Sequence, residues 1–245
     1  MAAERELDKR SASLVVAYGR RRIGKSRLLR QAAVGRNEIY FQATRVSSVL
    51  NMEQFKLEVA RVLGPSPVLA SLDNWESIFH FVAEAAKAKP GTVVTIDEVL
   101  YLVDQDSALL SVLQRFWDSG AARAGNLKII LCGSAVAQME DLLAETNPLY
   151  GRVTLRLEVR QLPLRDLPGF FLEYSAEQLT ETYAIFGGVP YYLTLSDQHA
   201  SLRENVINLL LTETGTLIDE PNTLLLRKRV LHKLGIMNLA RKPGT

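Results

Sequence analysis

The segment Leu14-Val15-Val16-Ala17-Tyr18 runs directly into Gly19-Arg20-Arg21-Arg22-Ile23-Gly24-Lys25-Ser26. The first five residues form a near-continuous apolar run, the pattern of a strand covered on both faces. The next eight match G-x-x-x-x-G-K-[ST], and Leu28, Leu29 and Ala32 then continue at helical spacing. Strand, glycine loop and helix in that order are the setting that gives this motif its meaning. Glycines let the backbone curl so that successive N–H groups point at phosphate oxygens, and the helix N-terminus adds the positive end of its dipole. Lys25 is then expected to reach the β- and γ-phosphates of a nucleotide, and Ser26 to coordinate Mg²⁺. The expected nucleotide-binding set is Gly19, Arg20, Arg21, Arg22, Ile23, Gly24, Lys25, Ser26 and Arg27. Arg20 to Arg22 have two readings: solvated charges, or contacts to a phosphate, a partner protomer or a nucleic-acid backbone.

Working outward, three more apolar runs read as buried strands: Ile39 to Ala43, Thr92 to Ile96 and Lys128 to Cys132. A fifth, Val153 to Val159, alternates apolar with polar residues and reads as a half-exposed edge strand. Apolar stripes at helical spacing fall between the strands, as in Phe55 to Leu63, Trp75 to Ala86 and Leu109 to Trp117. Asp73 with Glu76 has capping-box spacing before the second of these. Alternating strands and helices imply an α/β fold with a parallel sheet and right-handed crossovers. Strand signals stop near residue 160, and helices open at Ser175 with Gln178 and at Ser201 with Glu204. The expected organisation is a P-loop core over residues 1–162 and a small helical unit over 163–245.

The run Val93 to Ile96 ends in Asp97-Glu98. A buried strand delivers its next residue to the C-terminal edge of the sheet, where α/β proteins bind ligands. Asp97 is expected to hold the Mg²⁺ water shell, and Glu98 to orient or deprotonate the attacking water. An acidic helix cap is the alternative. A glutamate beside the metal aspartate favours an ATPase over a small GTPase, and the chain carries no [NT]-K-x-D guanine-reading motif. Ser134, after the strand Lys128 to Cys132, would sense the γ-phosphate, or would merely cap a turn. Arg152, before the last strand, would reach transition-state charge in cis or across an interface, or would form a structural ion pair.

Composition bounds the partners. Of 245 residues, 29 are Lys or Arg and 27 Asp or Glu, a net charge of +2, so no strong overall field draws the chain to nucleic acid or acidic membranes. From Arg227 onward there are basic residues and no acidic ones, which leaves nucleic-acid contact open beside simple solvation. The N-terminus MAAERELDKR lacks the apolar core of a secretory signal, and no stretch reaches the roughly 18 apolar residues of a membrane helix. Cytoplasmic residence is the expectation, and the single Cys132 reads as core filler. His80, His199 and His232 show no zinc-ligand spacing.

GRRRIGKS, the YFQAT strand, TIDEVLYL, the Trp117-Asp118 pair, KIILCGSA, NPLYGR and FGGVPYYL, in that order, resemble the archaeal-type ATPases of the STAND branch of AAA-like P-loop proteins. The resemblance spans about residues 13–220. It implies a sheet in the order 5-1-4-3-2, a helical or winged-helix unit after it, and ATP with Mg²⁺. It also implies that Pro190, in Gly187-Gly188-Val189-Pro190, meets the nucleotide base and couples the small unit to nucleotide state. Such proteins usually have a longer lead and continue into further domains, so the resemblance implies a truncated copy. A protein partner or homo-oligomer fits such a switch. The competing expectations are a nucleotide-binding scaffold with negligible turnover and an ATP-regulated DNA-associated module.

Overall fold

The computed structural model describes residues 2–218. The basic segment from Arg227 and His232 lie outside these. Five strands form one parallel sheet: β1 (Ser13–Tyr18), β2 (Glu38–Gln42), β3 (Val93–Asp97), β4 (Lys128–Gly133) and β5 (Leu155–Glu158). Their order is β2-β3-β4-β1-β5, the 5-1-4-3-2 arrangement of P-loop proteins read from the other side. β1 pairs with β4 from Ser13–Lys128 to Tyr18–Gly133, so the phosphate-loop strand and the strand ending near Ser134 finish level.

Through Gln105 the helices are α1 (Ala2–Leu7), α2 (Lys25–Ala32), α3 (Ser48–Leu63), α4 (Pro67–Ser71), α5 (Trp75–Ala86) and α6 (Leu100–Gln105). Then come α7 (Leu109–Asp118), α8 (Ala121–Ala124) and α9 (Val136–Asp141). One sheet face carries Val16, Ile39, Phe41, Val94 and Ile96 against α3, α5 and α7. Its centre is aromatic: Phe79 lies within 6.0 Å, centroid to centroid, of Phe55, Trp75 and Phe116. The other face buries Val15, Ala17, Val93, Ile130 and Cys132 against α1 and α2. Burial of this kind drives the fold, since each fully buried Leu, Ile or Phe contributes about 1.5–3 kcal/mol.

Two expectations are corrected. The run Ile39 to Ala43 was expected to be covered on both faces, but β2 is an edge strand. Ile39 and Phe41 are buried, whereas Glu38, Tyr40 and Gln42 lie on the more open face. The apolar count hid this because tyrosine carries a polar tip on an apolar ring. The box expected at Asp73 and Glu76 does not form. α5 starts one residue later, and Asn74 caps it by accepting the Ser77 N–H at 2.9 Å. Glu76 instead pairs with Arg115. Both boxes expected further along, Ser175 with Gln178 and Ser201 with Glu204, are formed.

The chain divides into two compact units, one ending at Arg160 and the next beginning at Gln161. The second contains α10 (Ala176–Phe186), α11 (Pro190–Leu195) and α12 (Leu202–Val206). Leu167, Phe171, Phe186, Leu193, Leu209 and Leu217 form its own core. Among the described residues no helix is long and apolar enough to cross a membrane.

Candidate active site

β1 delivers Gly19 to the C-terminal edge of the sheet, where the chain must turn sharply before α2. A Cβ on Gly19 would stand 2.2 Å from the Val159 carbonyl oxygen and 2.5 Å from Ile23 Cδ1, so only glycine fits. Ile23 is buried and packs over this point. Arg22 and Gly24 both have left-handed backbones, with φ of 69° and 82°. Left-handed residues of this kind turn consecutive N–H groups toward one concavity, which suits an anion. α2 begins directly at Lys25.

Lys25 is 6% exposed, and its ammonium donates to the carbonyls of Gly19 (2.9 Å) and Arg20 (3.0 Å). A buried ammonium needs such partners. They also hold it over the loop it is expected to serve.

Ser26, Asp97 and Glu98 come from two separate elements and meet. Ser26 Oγ donates to Asp97 Oδ2 at 2.6 Å. The Tyr40 hydroxyl donates to the same oxygen at 2.5 Å, and the Glu98 N–H to Asp97 Oδ1 at 2.9 Å. Burial alone would push the Asp97 carboxyl up. Hydrogen bonds from Ser26, Tyr40, Cys132 and the Glu98 amide together outweigh it and hold the carboxyl below its usual range. Asp97 is therefore a carboxylate at neutral pH. Burial and the bond to Asp97 push the Tyr40 phenol up to about 12, so it remains a donor. Burial pushes the Cys132 thiol up as well, in keeping with a core residue.

Glu98 has φ 52°, a left-handed backbone that a non-glycine residue adopts at a cost of about 1–2 kcal/mol. Its Oε2 accepts the Ser134 hydroxyl at 3.1 Å and, more loosely, the Ser134 N–H at 3.4 Å. β4 thus brings Ser134 beside the glutamate.

The remaining arginines divide. Arg20, Arg21, Arg22 and Arg27 are exposed. Arg21 donates to the Tyr101 hydroxyl at 3.2 Å, and Arg45 lies over the Tyr101 ring at 4.9 Å. Arg27 lines a cleft of about 490 Å³ together with Ser26, Arg30, Tyr40 and Gln42. Arg152 is held elsewhere. Its Nε and Nη2 pair with both carboxylate oxygens of Asp118 at 2.8 and 2.7 Å, and its Nη1 donates to the carbonyls of Pro148 and Tyr150. No nitrogen of Arg152 bonds to the phosphate loop, Asp97, Glu98 or Ser134. Of the two readings of Arg152, the structure shows the ion pair: a clamp joining the end of α7 to the turn before β5, in which a bidentate carboxylate and two carbonyls engage four of its five N–H donors. Arg152→Ala is expected to lower the melting temperature and leave kcat unchanged. Thermal denaturation beside steady-state turnover checks this, and a fall in kcat at an unchanged melting temperature would return Arg152 to the chemistry.

Pro190 is the first residue of α11, a position suited to a residue without an N–H. Among the described residues, no three His, Cys, Asp or Glu side chains are grouped to hold a metal ion by themselves.

Residues 3–195 match the family described as an ATPase domain predominantly from Archaea. The chain belongs to this ATPase family. A protein of Methanocaldococcus jannaschii described as uncharacterized protein MJECL04 is 32% identical over 194 residues. That match covers 78% of this chain and 41% of the relative, so the chain spans well under half of that protein. The Walker-type ATPase PABY2304 of Pyrococcus abyssi has a similar fold, with TM-score 0.66 at 20% identity over 93% of this chain and 75% of its own. The ADP form of the Aeropyrum pernix ORC2 protein gives a TM-score of 0.52 at 13% identity, covering 78% and 57% respectively. The chain is thus a P-loop protein of an ATPase family in sequence and in fold.

Tyr40 was not singled out by sequence. Its signal lay in the pairing of β2 with β3, which sets Tyr40 opposite Thr95 and Gln42 opposite Asp97.

Proposed function

We propose that this ATPase-family chain binds ATP with Mg²⁺ in the Gly19–Arg27 loop, hydrolyses it, and uses the cycle as a switch on its helical unit. The observation that carries this reading is the convergence of Lys25, Ser26, Asp97 and Glu98 at one sheet edge, on a loop whose left-handed residues make a cradle for phosphate.

The residues suit both groups. Ser26 and Asp97 offer a hydroxyl and a carboxylate oxygen 2.6 Å apart, a hard-oxygen pair. Mg²⁺ is commonly held by one or two such protein ligands with the rest of its shell from phosphates and water. The cation, when bound, offsets the charge of the β- and γ-phosphates. The chain's own groups do the rest. Loop N–H groups fix the phosphate tail, and Lys25 exchanges its carbonyl partners for phosphate oxygens. Ser26 and Asp97 hold the cation's position. Glu98 aligns a water and takes its proton, while Ser134 keeps that carboxylate at the edge of β4. Pro190, by family resemblance, couples α11 to the nucleotide base, and a protein partner or second copy reads the outcome.

Lys25→Ala is expected to weaken Mg·ATP affinity at least tenfold, about 1.4 kcal/mol. The loop's donors remain in the variant, but the charge that balances the phosphates is gone. Isothermal titration calorimetry measures this directly. Equal ATP affinity in the two proteins would remove the loop from nucleotide binding.

A further inference from the structure

We infer that Tyr40 is a positioning residue that fixes the orientation of the Asp97 carboxylate for the cation held with Ser26. The inference rests on the reading of Ser26 and Asp97 as the Mg²⁺ ligands.

Tyr40 lies on β2, at the far edge of the sheet from β5 and one strand away from Asp97. Its register partner on β3 is Thr95, so the side chain reaches toward the strand's end to meet Asp97. The ring is held in that pose. The Arg30 guanidinium, little more than one turn along α2 from Ser26, lies over it at 4.0 Å from the centroid. Two donors then meet on Asp97 Oδ2, Ser26 from α2 and Tyr40 from β2, while the Glu98 N–H occupies Oδ1. Together with the Cys132 thiol, these donors approach from different elements and fix the carboxylate plane. If Tyr40 is removed, Oδ2 keeps only Ser26, whose own oxygen is the proposed cation ligand. The carboxylate then gains freedom about its last torsion when the cation must find it oriented. Partners that orient a ligating group typically change metal affinity 10–100-fold when removed.

The test separates metal from nucleotide. Binding of a fluorescent ATP analogue is measured first in EDTA, then across a Mg²⁺ titration, for wild type, Tyr40→Phe and Arg30→Ala. Tyr40→Phe removes one oxygen and keeps the ring. Its affinity in EDTA should equal that of wild type, and its Mg²⁺ midpoint should rise about 10- to 100-fold. Arg30→Ala leaves the hydroxyl in place and should shift the midpoint less. An unchanged midpoint in Tyr40→Phe overturns the inference. A lower midpoint also overturns it, because the hydroxyl would then compete with the cation. An equal loss of affinity in EDTA overturns it by tracing the effect to the loop, and a shift in Arg30→Ala as large as that in Tyr40→Phe does so by tracing it to ring packing. If wild type itself does not respond to Mg²⁺, the metal reading fails and takes this inference with it. If wild type responds and Tyr40→Phe responds identically, only the inference fails.

Discussion

Glu98→Gln should bind ATP with wild-type affinity and turn it over at least about a hundredfold more slowly, the low end for loss of a general base. The substitution keeps the side chain's size and its acceptor oxygen. Ser134 can still donate to the new amide as it does to Glu98 Oε2 at 3.1 Å. What is lost is the capacity to take a proton from water. The backbone argues in the same direction. A residue at φ 52° stores strain that glycine would relieve, at the loss of the Ser134 hydrogen bonds to the carboxylate. Relief of that strain offsets the lost bonds and the added chain entropy of glycine, so Glu98→Gly should stay within about 1 kcal/mol of wild-type stability while losing turnover. Steady-state ATPase assays, calorimetric ATP binding and thermal denaturation on the three proteins check both statements. Equal kcat in wild type and Glu98→Gln would reduce Glu98 to a helix cap. Absence of turnover in wild type as well would favour the scaffold.

Much of this site is written locally. Gly19, Gly24, Lys25 and Ser26 sit in one short segment, and Asp97-Glu98 follows an apolar run that can only end at the sheet's C-terminal edge. Local pattern also separates β1, β3 and β4 from the helices, because strands buried on both faces leave no polar alternation to confuse them. The order of the strands is not in any local pattern, and only the family resemblance supplied it. Contacts that depend on that order stay hidden for the same reason. Tyr40 meets Asp97 across 57 residues, and Arg152 meets Asp118 across 34. Trp117-Asp118 and the NPLYGR segment entered as separate signals, yet the Asp118–Arg152 pair makes them two halves of one clamp. Arg152 was open to a catalytic role because nothing near it in sequence reveals an acidic partner. The left-handed backbone of Glu98 was equally invisible, since glycine rather than glutamate marks such a position in sequence.

Gly188→Ala should destabilise the helical unit by at least about 2 kcal/mol, roughly a thirtyfold shift in its folding equilibrium. Sequence alone reads Gly187-Gly188 as a helix stop, and Gly187 fits that reading with φ 63° at the end of α10. Gly188 serves a different purpose. A Cβ there would lie 1.8 Å from the Leu162 carbonyl oxygen and 2.7 Å from its carbonyl carbon. Both contacts are to backbone, so no rotamer change relieves them. The Gly188 carbonyl also accepts the Leu162 N–H at 2.7 Å, and separating the two strands of chain to admit a methyl group would break that bond. Loss of a backbone bond adds about 0.5–1.5 kcal/mol to the steric term. The clash lies within the unit that begins at Gln161, so its consequences should be local. Hydrogen exchange should quicken across α10, α11 and α12 and remain unchanged in β1, β3 and β4. Pro190→Ala supplies the contrast, since it adds no atom and leaves the approach of Leu162 intact. Exchange in α10 to α12 of Gly188→Ala as slow as in wild type would mean that Leu162 and Gly188 are not in contact in solution.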